Sequence, residues 1–226
     1  HRSGNNRGIY SSSTDLNLLE FGSETSHIYS QINIVCLHCQ CAASRGAMTV
    51  SMQRFVSIAN RMPDKRQAAV RRADFEEIFG DYDPAAAAEQ AARCSQCGIP
   101  YCQIHCPLQN NIPDWLMLAA QGRLEEAYEL SSATNNMPEI CGLICPHDRL
   151  CEGTCVIETA GHGTVAIGAV ERFITETAWT EGWVKPPTPS SELDHSVGII
   201  GAGPAGLAAG EQLRRQGYQV HVYDRY

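Results

Sequence analysis

The sequence lacks a surplus of basic residues: 17 Lys and Arg stand against 25 Asp and Glu, a formal net charge of -8. Proteins that bind nucleic acid or anionic lipid present a basic surface, so this balance argues against both partners. No run approaches the roughly 18 apolar residues that span a bilayer, and no apolar signal segment precedes residue 47. We therefore expect an acidic, soluble, cytoplasmic protein.

Cysteine is the residue present in excess, with eleven in 226 residues. Three lie at positions 36, 39 and 41, inside a stretch, residues 1–47, that shows no sustained helical or strand periodicity. Met48 fits a natural start, so we expect residues 1–47 to be a disordered or non-native leader. The other eight lie between Cys94 and Cys155, and their arrangement decides what they do.

Apolar residues at helical spacing predict most of the secondary structure before residue 182. Asp83 suits the cap of the first helix, and Gly122 separates the two helices of a predicted hairpin. Gly182 follows the last helix, where glycine commonly ends one. The predicted helices are 84–92, 114–120, 123–133 and 164–181.

The eight cysteines form two tight groups on either side of the predicted hairpin. The groups are Cys94-x2-Cys97-x4-Cys102-x3-Cys106 and Cys141-x3-Cys145-x5-Cys151-x3-Cys155. Each contains a Cys-Pro step, which is common in loops that bind iron–sulfur clusters. Zinc suits this dense spacing less well, because it is usually held by two separated Cys-x2-Cys pairs. The spacing favours clusters over zinc, and both over disulfides.

Glu171 stands out on the last predicted helix. At about 100° per residue it falls between Ile167 and Ile174, in the middle of the apolar stripe. A carboxylate on a buried face is costly unless it is paired or coordinates a metal. A buried salt bridge, or a partly exposed helix, is the alternative explanation.

A glycine-rich turn opens the last segment of the chain. The residues Gly201-Ala202-Gly203-Pro204-Ala205-Gly206 connect a predicted strand, 197–201, to a predicted helix, 204–216. This pattern is typical of dinucleotide binding, with the pyrophosphate at the helix N-terminus. Asp224, at the end of a second predicted strand, would accept hydrogen bonds from a ribose hydroxyl. The turn alone leaves FAD and NAD(P) open.

Several longer motifs point to one family. They are Arg93-Cys94-Ser95-Gln96-Cys97-Gly98, Asn110-Asn111-Ile112-Pro113-Asp114-Trp115, Gly122-Arg123-Leu124-Glu125-Glu126-Ala127-Tyr128, Pro138-Glu139-Ile140-Cys141-Gly142 and Gly161-His162-Gly163-Thr164. With these motifs, residues 48–226 resemble the N-terminal part of the glutamate synthase small (beta) subunit.

The resemblance implies a mainly α fold: a helical domain with two [4Fe-4S] clusters over residues 48–184, then the first β-α-β unit of a Rossmann-like FAD domain over residues 197–226. The proline-rich residues 185–196 form the predicted linker. By the same resemblance the ligands interleave. Cys94, Cys97, Cys102 and Cys155 would hold one cluster, and Cys106, Cys145, Cys151 and Glu171 the other. Cys141 aligns with a cysteine that is not a ligand in the family.

The resemblance also implies a function. The chain would belong to an oxidoreductase that passes electrons from NADPH through FAD and the clusters to a large (alpha) subunit, where glutamine and 2-oxoglutarate yield glutamate. Because the family's FAD domain continues and encloses an NADPH module, we expect a fragment that is inactive alone. The alternatives are the electron-input module of a dihydropyrimidine dehydrogenase-like flavin oxidoreductase and, from another class, a zinc-binding interaction module.

Overall fold

The computed structural model describes residues 52–225. The chain divides into two units, His1–Gly46 and Ala47–Tyr226, and the described residues all belong to the second unit. The predicted leader, with its three cysteines, lies outside the described residues.

The part before residue 182 is built from short helices joined by cysteine-bearing loops. Arg54–Val56 and His147–Arg149 are single 3-10 turns. The α-helices are α1 Ala68–Arg71, α2 Pro84–Ala91, α3 Tyr101–Ile104, α4 Ile112–Ala120, α5 Leu124–Ser132, α6 Pro138–Ile144, α7 Val156–Thr159 and α8 Ile167–Thr180. Over residues 52–225 no helix combines the length and the apolar character needed to cross a bilayer.

Helix α8 is the element around which this helical part packs. It contacts α2, α4, α5 and α6, and it buries Val170, Ile174 and Ala178 completely. Burial of such a stripe supplies most of the stability of an amphipathic helix. The position of α8 therefore controls where its other inward residue, Glu171, lies.

Trp115 joins α4 to the rest of the core. Its ring is fully buried, and its Nε1 donates a hydrogen bond to Asn110 Oδ1 at 2.7 Å. Asn110 Nδ2 in turn donates to the carbonyl oxygen of Ser131, at the end of α5, also at 2.7 Å. The buried indole N–H and amide are thus satisfied, which is the condition for placing them in a core. This chain of hydrogen bonds fixes the α4–α5 hairpin.

Two helix starts illustrate how local and tertiary forces combine. Helix α2 begins where the sequence predicts, because Asp83 Oδ1 accepts a hydrogen bond from the Ala86 amide at 2.8 Å. Helix α8 begins at Ile167 instead of the predicted Thr164. The carbonyl oxygen of Thr164 accepts hydrogen bonds from Asn60 and Arg93, which hold residues 164–166 outside the helix.

The last segment is a β-α-β unit. Strand β1, Ser196–Ile200, pairs in parallel with β2, Gln219–Tyr223, and α9, Pro204–Arg215, connects them. The register places Ser196 opposite Gln219 and Ile200 opposite Tyr223. The mainly helical fold with an α/β unit after it, as the sequence predicted, is confirmed. The exact domain boundaries stay predictions.

Candidate metal centres and nucleotide turn

The first candidate metal centre is a cavity lined by four cysteines: Cys94, Cys97, Cys102 and Cys155. Cys94 follows the end of α2, Cys102 lies in α3, and Cys155 immediately precedes α7. The rest of the lining is mostly apolar, including Leu116 and Ile167. The structure therefore brings together all four residues predicted for one cluster.

The second candidate metal centre is a cavity lined by four cysteines and one carboxylate: Cys106, Cys141, Cys145, Cys151 and Glu171. Cys141 and Cys145 lie one turn apart at α6, and Glu171 projects from α8, which packs against α6. The structure thus brings together the four residues predicted for the other cluster. It also adds Cys141, which was not among the predicted ligands.

The two sets interleave between the cysteine groups. Cys155, from the second group, completes the first cavity, and Cys106, from the first group, completes the second. Neither cavity could form from one group alone. The α4–α5 hairpin between the groups folds the chain back so that this exchange takes place.

The chemistry of these donors suits iron–sulfur clusters, which are held mainly by thiolates. The cavities differ in size, about 20 Å³ for the first and about 210 Å³ for the second. A space of about 20 Å³ is near the minimum for one water. In residues 52–225, the two cavities included, no group of three or more His, Cys, Asp or Glu side chains is arranged to hold a single metal ion.

Burial keeps most of these thiols protonated in the absence of metal. All eight cysteines of the described part are free thiols. Burial raises the pKa of Cys94 to about 11 and the pKa of Cys102 and Cys141 to about 12, and it also raises the pKa of Cys151. The thiolate is the form that binds metal, so a bound cation must compensate this burial and release the protons.

Glu171 is 7% exposed and has no basic partner that forms an ion pair with it in residues 52–225. Burial raises its pKa to about 7, against the opposing effect of a hydrogen bond from Asn135. The Asn135 Nδ2 to Glu171 Oε1 distance is 3.2 Å. The alternative of a buried salt bridge is therefore not what the structure contains.

Asn135 connects the carboxylate to Cys141. Its Oδ1 accepts a hydrogen bond from the Met137 amide at 3.0 Å and a weak one from Cys141 Sγ at 3.6 Å. One buried amide thus orients both the carboxylate and the neighbouring thiol. Second-layer hydrogen bonds of this kind hold metal ligands in place.

Gln96, in the first cysteine loop, forms a similar hydrogen bond to a cysteine of the first cavity. Gln96 Nε2 lies 3.3 Å from Cys94 Sγ and donates to the carbonyl oxygen of Pro113 at 2.7 Å. Gln96 also adopts a φ of 51°, in the left-handed region. Such a conformation is costly for a residue with a side chain and is enriched at functional sites.

The glycine-rich turn has an open side and a closed side. A side chain at Gly203 would meet no atom within 4 Å, whereas one at Gly206 would lie 2.0 Å from the Gly201 carbonyl oxygen. Gly201 itself has a φ of 108°. The turn therefore leaves room for a ligand at Gly203 and requires glycine where α9 crosses the strand.

Asp224 contributes to the turn in a way the sequence did not predict. Its Oδ2 accepts a hydrogen bond from the Ala202 amide at 2.6 Å, and its Oδ1 accepts one from the Arg225 amide. A carboxylate has about four acceptor positions, so contact with a ribose hydroxyl remains chemically compatible with these bonds. Gly201 and Asp224 line the same open groove. Of the other predicted residues, Ala202 belongs to the turn, and Pro204 and Ala205 form the first turn of α9.

Sequence reasoning missed the residues that support the cavities. Gln96 lies inside a quoted motif between two cysteines, which could have suggested a role, whereas nothing in the sequence around Asn135 marks it. Cys141 was visible as the first member of the second cysteine group, but not as a fifth donor at the second cavity. Its position at the cavity depends on the rotation of α6, which spacing alone does not give.

Two family models match the chain. Residues 71–183, half of the chain, match the model described as dihydropyrimidine dehydrogenase domain II, 4Fe-4S cluster. Residues 199–226 match the model described as NAD(P)-binding Rossmann-like domain. The two matches cover the helical part with both cavities and most of the β-α-β unit.

Curated relatives are similar over most of this chain. A glutamate synthase [NADPH] small chain from Azospirillum brasilense is 68% identical over 175 residues, which cover 77% of this chain and 36% of that protein. Proteins of the same name from Halomonas elongata and Escherichia coli are 46% and 42% identical over 173 and 179 residues. The chain thus spans 36–38% of the length of these relatives. The resemblance predicted from the sequence motifs is confirmed.

Proposed function

Because the chain belongs to the family described as dihydropyrimidine dehydrogenase domain II, 4Fe-4S cluster, we propose that its helical part holds two clusters and conducts electrons between them. The observation that carries this proposal is the pair of cavities, each surrounded by donors drawn from both cysteine groups. We assign the first cavity to Cys94, Cys97, Cys102 and Cys155. We assign the second to Cys106, Cys145, Cys151 and Glu171.

When bound, a [4Fe-4S] cluster supplies a one-electron carrier at each cavity. The protein's own part is to hold and shield that carrier. Thiolates bind it, Gln96 donates a hydrogen bond to Cys94 sulfur, and Asn135 orients Glu171. Apolar side chains such as Leu116 and Ile167 exclude water from the first cavity. Burial and hydrogen bonds to the donors are the means by which a protein adjusts a cluster's potential.

The β-α-β unit would bind the dinucleotide that supplies the electrons. Gly203 leaves space for a pyrophosphate at the N-terminus of α9, where the helix dipole favours negative charge. We propose FAD as this dinucleotide and the ribose as the partner of Asp224. The match to an NAD(P)-binding Rossmann-like domain supports the dinucleotide class.

For the whole protein that contains this chain we propose the activity of the named relatives. It would take electrons from NADPH and deliver them through FAD and the clusters to a glutamate synthase large subunit, for glutamate formation from glutamine and 2-oxoglutarate. The 68% identity to the Azospirillum small chain supports this choice over a dihydropyrimidine dehydrogenase. Eight free thiols suit the reducing cytoplasm that we propose as its location.

The test is the amount of iron and acid-labile sulfide per chain after anaerobic reconstitution. The wild type, Glu171→Ala and Cys141→Ser are compared, since both variants change a residue that lines the second cavity. We expect about eight iron and eight sulfide in the wild type, as two four-iron clusters require. Glu171→Ala should retain about four of each, and Cys141→Ser should match the wild type.

Three results would contradict parts of the proposal. Zinc without sulfide would exclude electron transfer and leave the zinc-binding interaction module as the function. About four iron in the wild type would exclude a second cluster. Loss of iron in Cys141→Ser but not in Glu171→Ala would make Cys141 the fourth donor in place of Glu171.

A further inference from the structure

Arg93 carries a buried positive charge outside both predicted ligand sets. Its side chain is 0% exposed, and the ion pairs formed within residues 52–225 do not include it. A buried charge is costly unless an opposite charge compensates it. Since no carboxylate in this part of the chain pairs with Arg93, another group must compensate its charge.

Backbone carbonyl oxygens satisfy most of the guanidinium's donors. Arg93 Nη1 donates to the carbonyl oxygen of Ile58, and Nη2 lies 3.0, 2.7 and 3.1 Å from those of His162, Gly163 and Thr164. Its Nε is buried without a hydrogen-bond partner. These carbonyl groups offer partial negative charge only, so they leave the net charge of the side chain uncompensated.

The chain on either side of Arg93 leads into the first cavity. Arg93 directly precedes Cys94, and the carbonyl groups that it binds lead into Val165, which lines the same cavity. An anionic set of thiolates in the first cavity would thus lie next to a cation already in place.

Within residues 52–225 no other Lys or Arg is buried, so the second cavity has no equivalent. Arg172 lies one residue beyond Glu171, but its guanidinium pairs with three carboxylates: Glu176 at 2.6 Å, Asp81 at 3.0 Å and Glu77 at 3.7 Å. Its charge is therefore neutralised by its own partners. The two cavities thus differ by one uncompensated positive charge.

We propose that Arg93 is the counter-charge of the first cavity and raises the reduction potential of the cluster there. The inference rests on the proposed function. Uptake of one electron adds one negative charge to the site, and no bond forms or breaks. A fixed positive charge nearby stabilises the reduced state more than the oxidised state, and it does so most strongly where water is excluded. Arg93 thus acts through its fixed charge and does not touch the cluster.

The experiment measures midpoint potentials in the full reconstituted chain. Dithionite supplies the electrons, electron paramagnetic resonance follows the reduced clusters, and Cys106→Ser assigns the signal of the second cavity. Arg93→Met should shift the potential of the first cavity to a more negative value and leave the second unchanged. Arg93→Lys, which keeps the charge, should stay near the wild type.

Gln90→Met is the matched neutral control. Gln90 is 1% exposed, and like Arg93 it forms hydrogen bonds with the backbone near residue 60. It donates to the Ala59 carbonyl oxygen and accepts from the Arg61 amide. Its substitution removes comparable hydrogen bonds but no charge, so we expect lower thermal stability and no change of potential. If Arg93→Met does not fold, Arg93→Gln provides the neutral variant, because its amide can still donate to a carbonyl oxygen.

Two outcomes would overturn the inference. One is an unchanged first potential in a neutral, fully loaded Arg93 variant. The other is an equal shift in Arg93→Lys and Arg93→Met, which would assign the effect to the lost carbonyl contacts. A wild type that takes up no iron and sulfide would instead refute the proposed function.

Discussion

Asn135 shows at the scale of one residue how the second cavity depends on a polar group outside the proposed ligands. Its side chain is 4% exposed and contacts Glu171, Cys141 and the Met137 amide. A buried amide with all of these partners holds the loop between α5 and α6 in one conformation. Its removal leaves several buried polar groups without partners, and this is more costly than the loss of one exposed hydrogen bond.

We predict that Asn135→Ala lowers the free energy of unfolding of the metal-free chain by about 1–3 kcal/mol, the cost of unsatisfied buried groups. Urea denaturation measures this change. Asn136→Ala is the control, because Asn136 accepts only an exposed hydrogen bond, from Gln212. Its effect should stay within about 0.5 kcal/mol. Equal effects of the two substitutions would contradict the role of Asn135.

At the scale of elements, the contact between α6 and α8 decides whether the second cavity forms. A side chain at Gly142 would lie 2.9 Å from both the Arg172 amide nitrogen and the Gly168 carbonyl oxygen. Backbone atoms on α8 cannot move away cheaply, so glycine allows the close approach of the two helices. One helix brings Cys141 and Cys145, and the other brings Glu171.

Gly142→Ala should therefore separate α6 from α8. We expect a loss of about 1–3 kcal/mol of stability, as for other overpacked sites. We also expect iron and sulfide to be lost from the second cavity before the first, measured per chain after reconstitution. Gly98→Ala is the matched control, since a side chain there would meet no atom within 4 Å. Uniform iron loss in both variants would argue against the helix contact as the cause.

The elements that the sequence predicted are those with a local cause. Asp83 caps α2, and a continuous apolar stripe marks α8. Helices α3, α6 and α7 were not predicted, because each has four to seven residues and is too short to show a helical period. Pro138 stands at the first position of α6, where proline commonly marks a helix start.

At the scale of the whole molecule, cysteine spacing predicted two metal-binding groups but not their partition. The exchange of Cys106 and Cys155 between cavities came from the family resemblance, since spacing cannot show how the α4–α5 hairpin returns the chain. Arg93 was likewise invisible as a buried cation. Its burial without an ion pair depends on tertiary contacts, because its guanidinium donates to the carbonyl oxygens of residues 58 and 162–164.

The sequence predicts that the helical part and the β-α-β unit are separate domains. Truncation of the chain between them tests this prediction. Every residue that lines either cavity precedes residue 172, and the hydrogen bond from Gln212 to Asn136 across the two parts is exposed. A chain that ends at Val184 should therefore bind as much iron and sulfide as the full chain. A chain that ends at Gly163 lacks α8 and its buried stripe, so it should not fold. If the chain that ends at Val184 also loses its iron, the helical part depends on the β-α-β unit and the two are not separate domains.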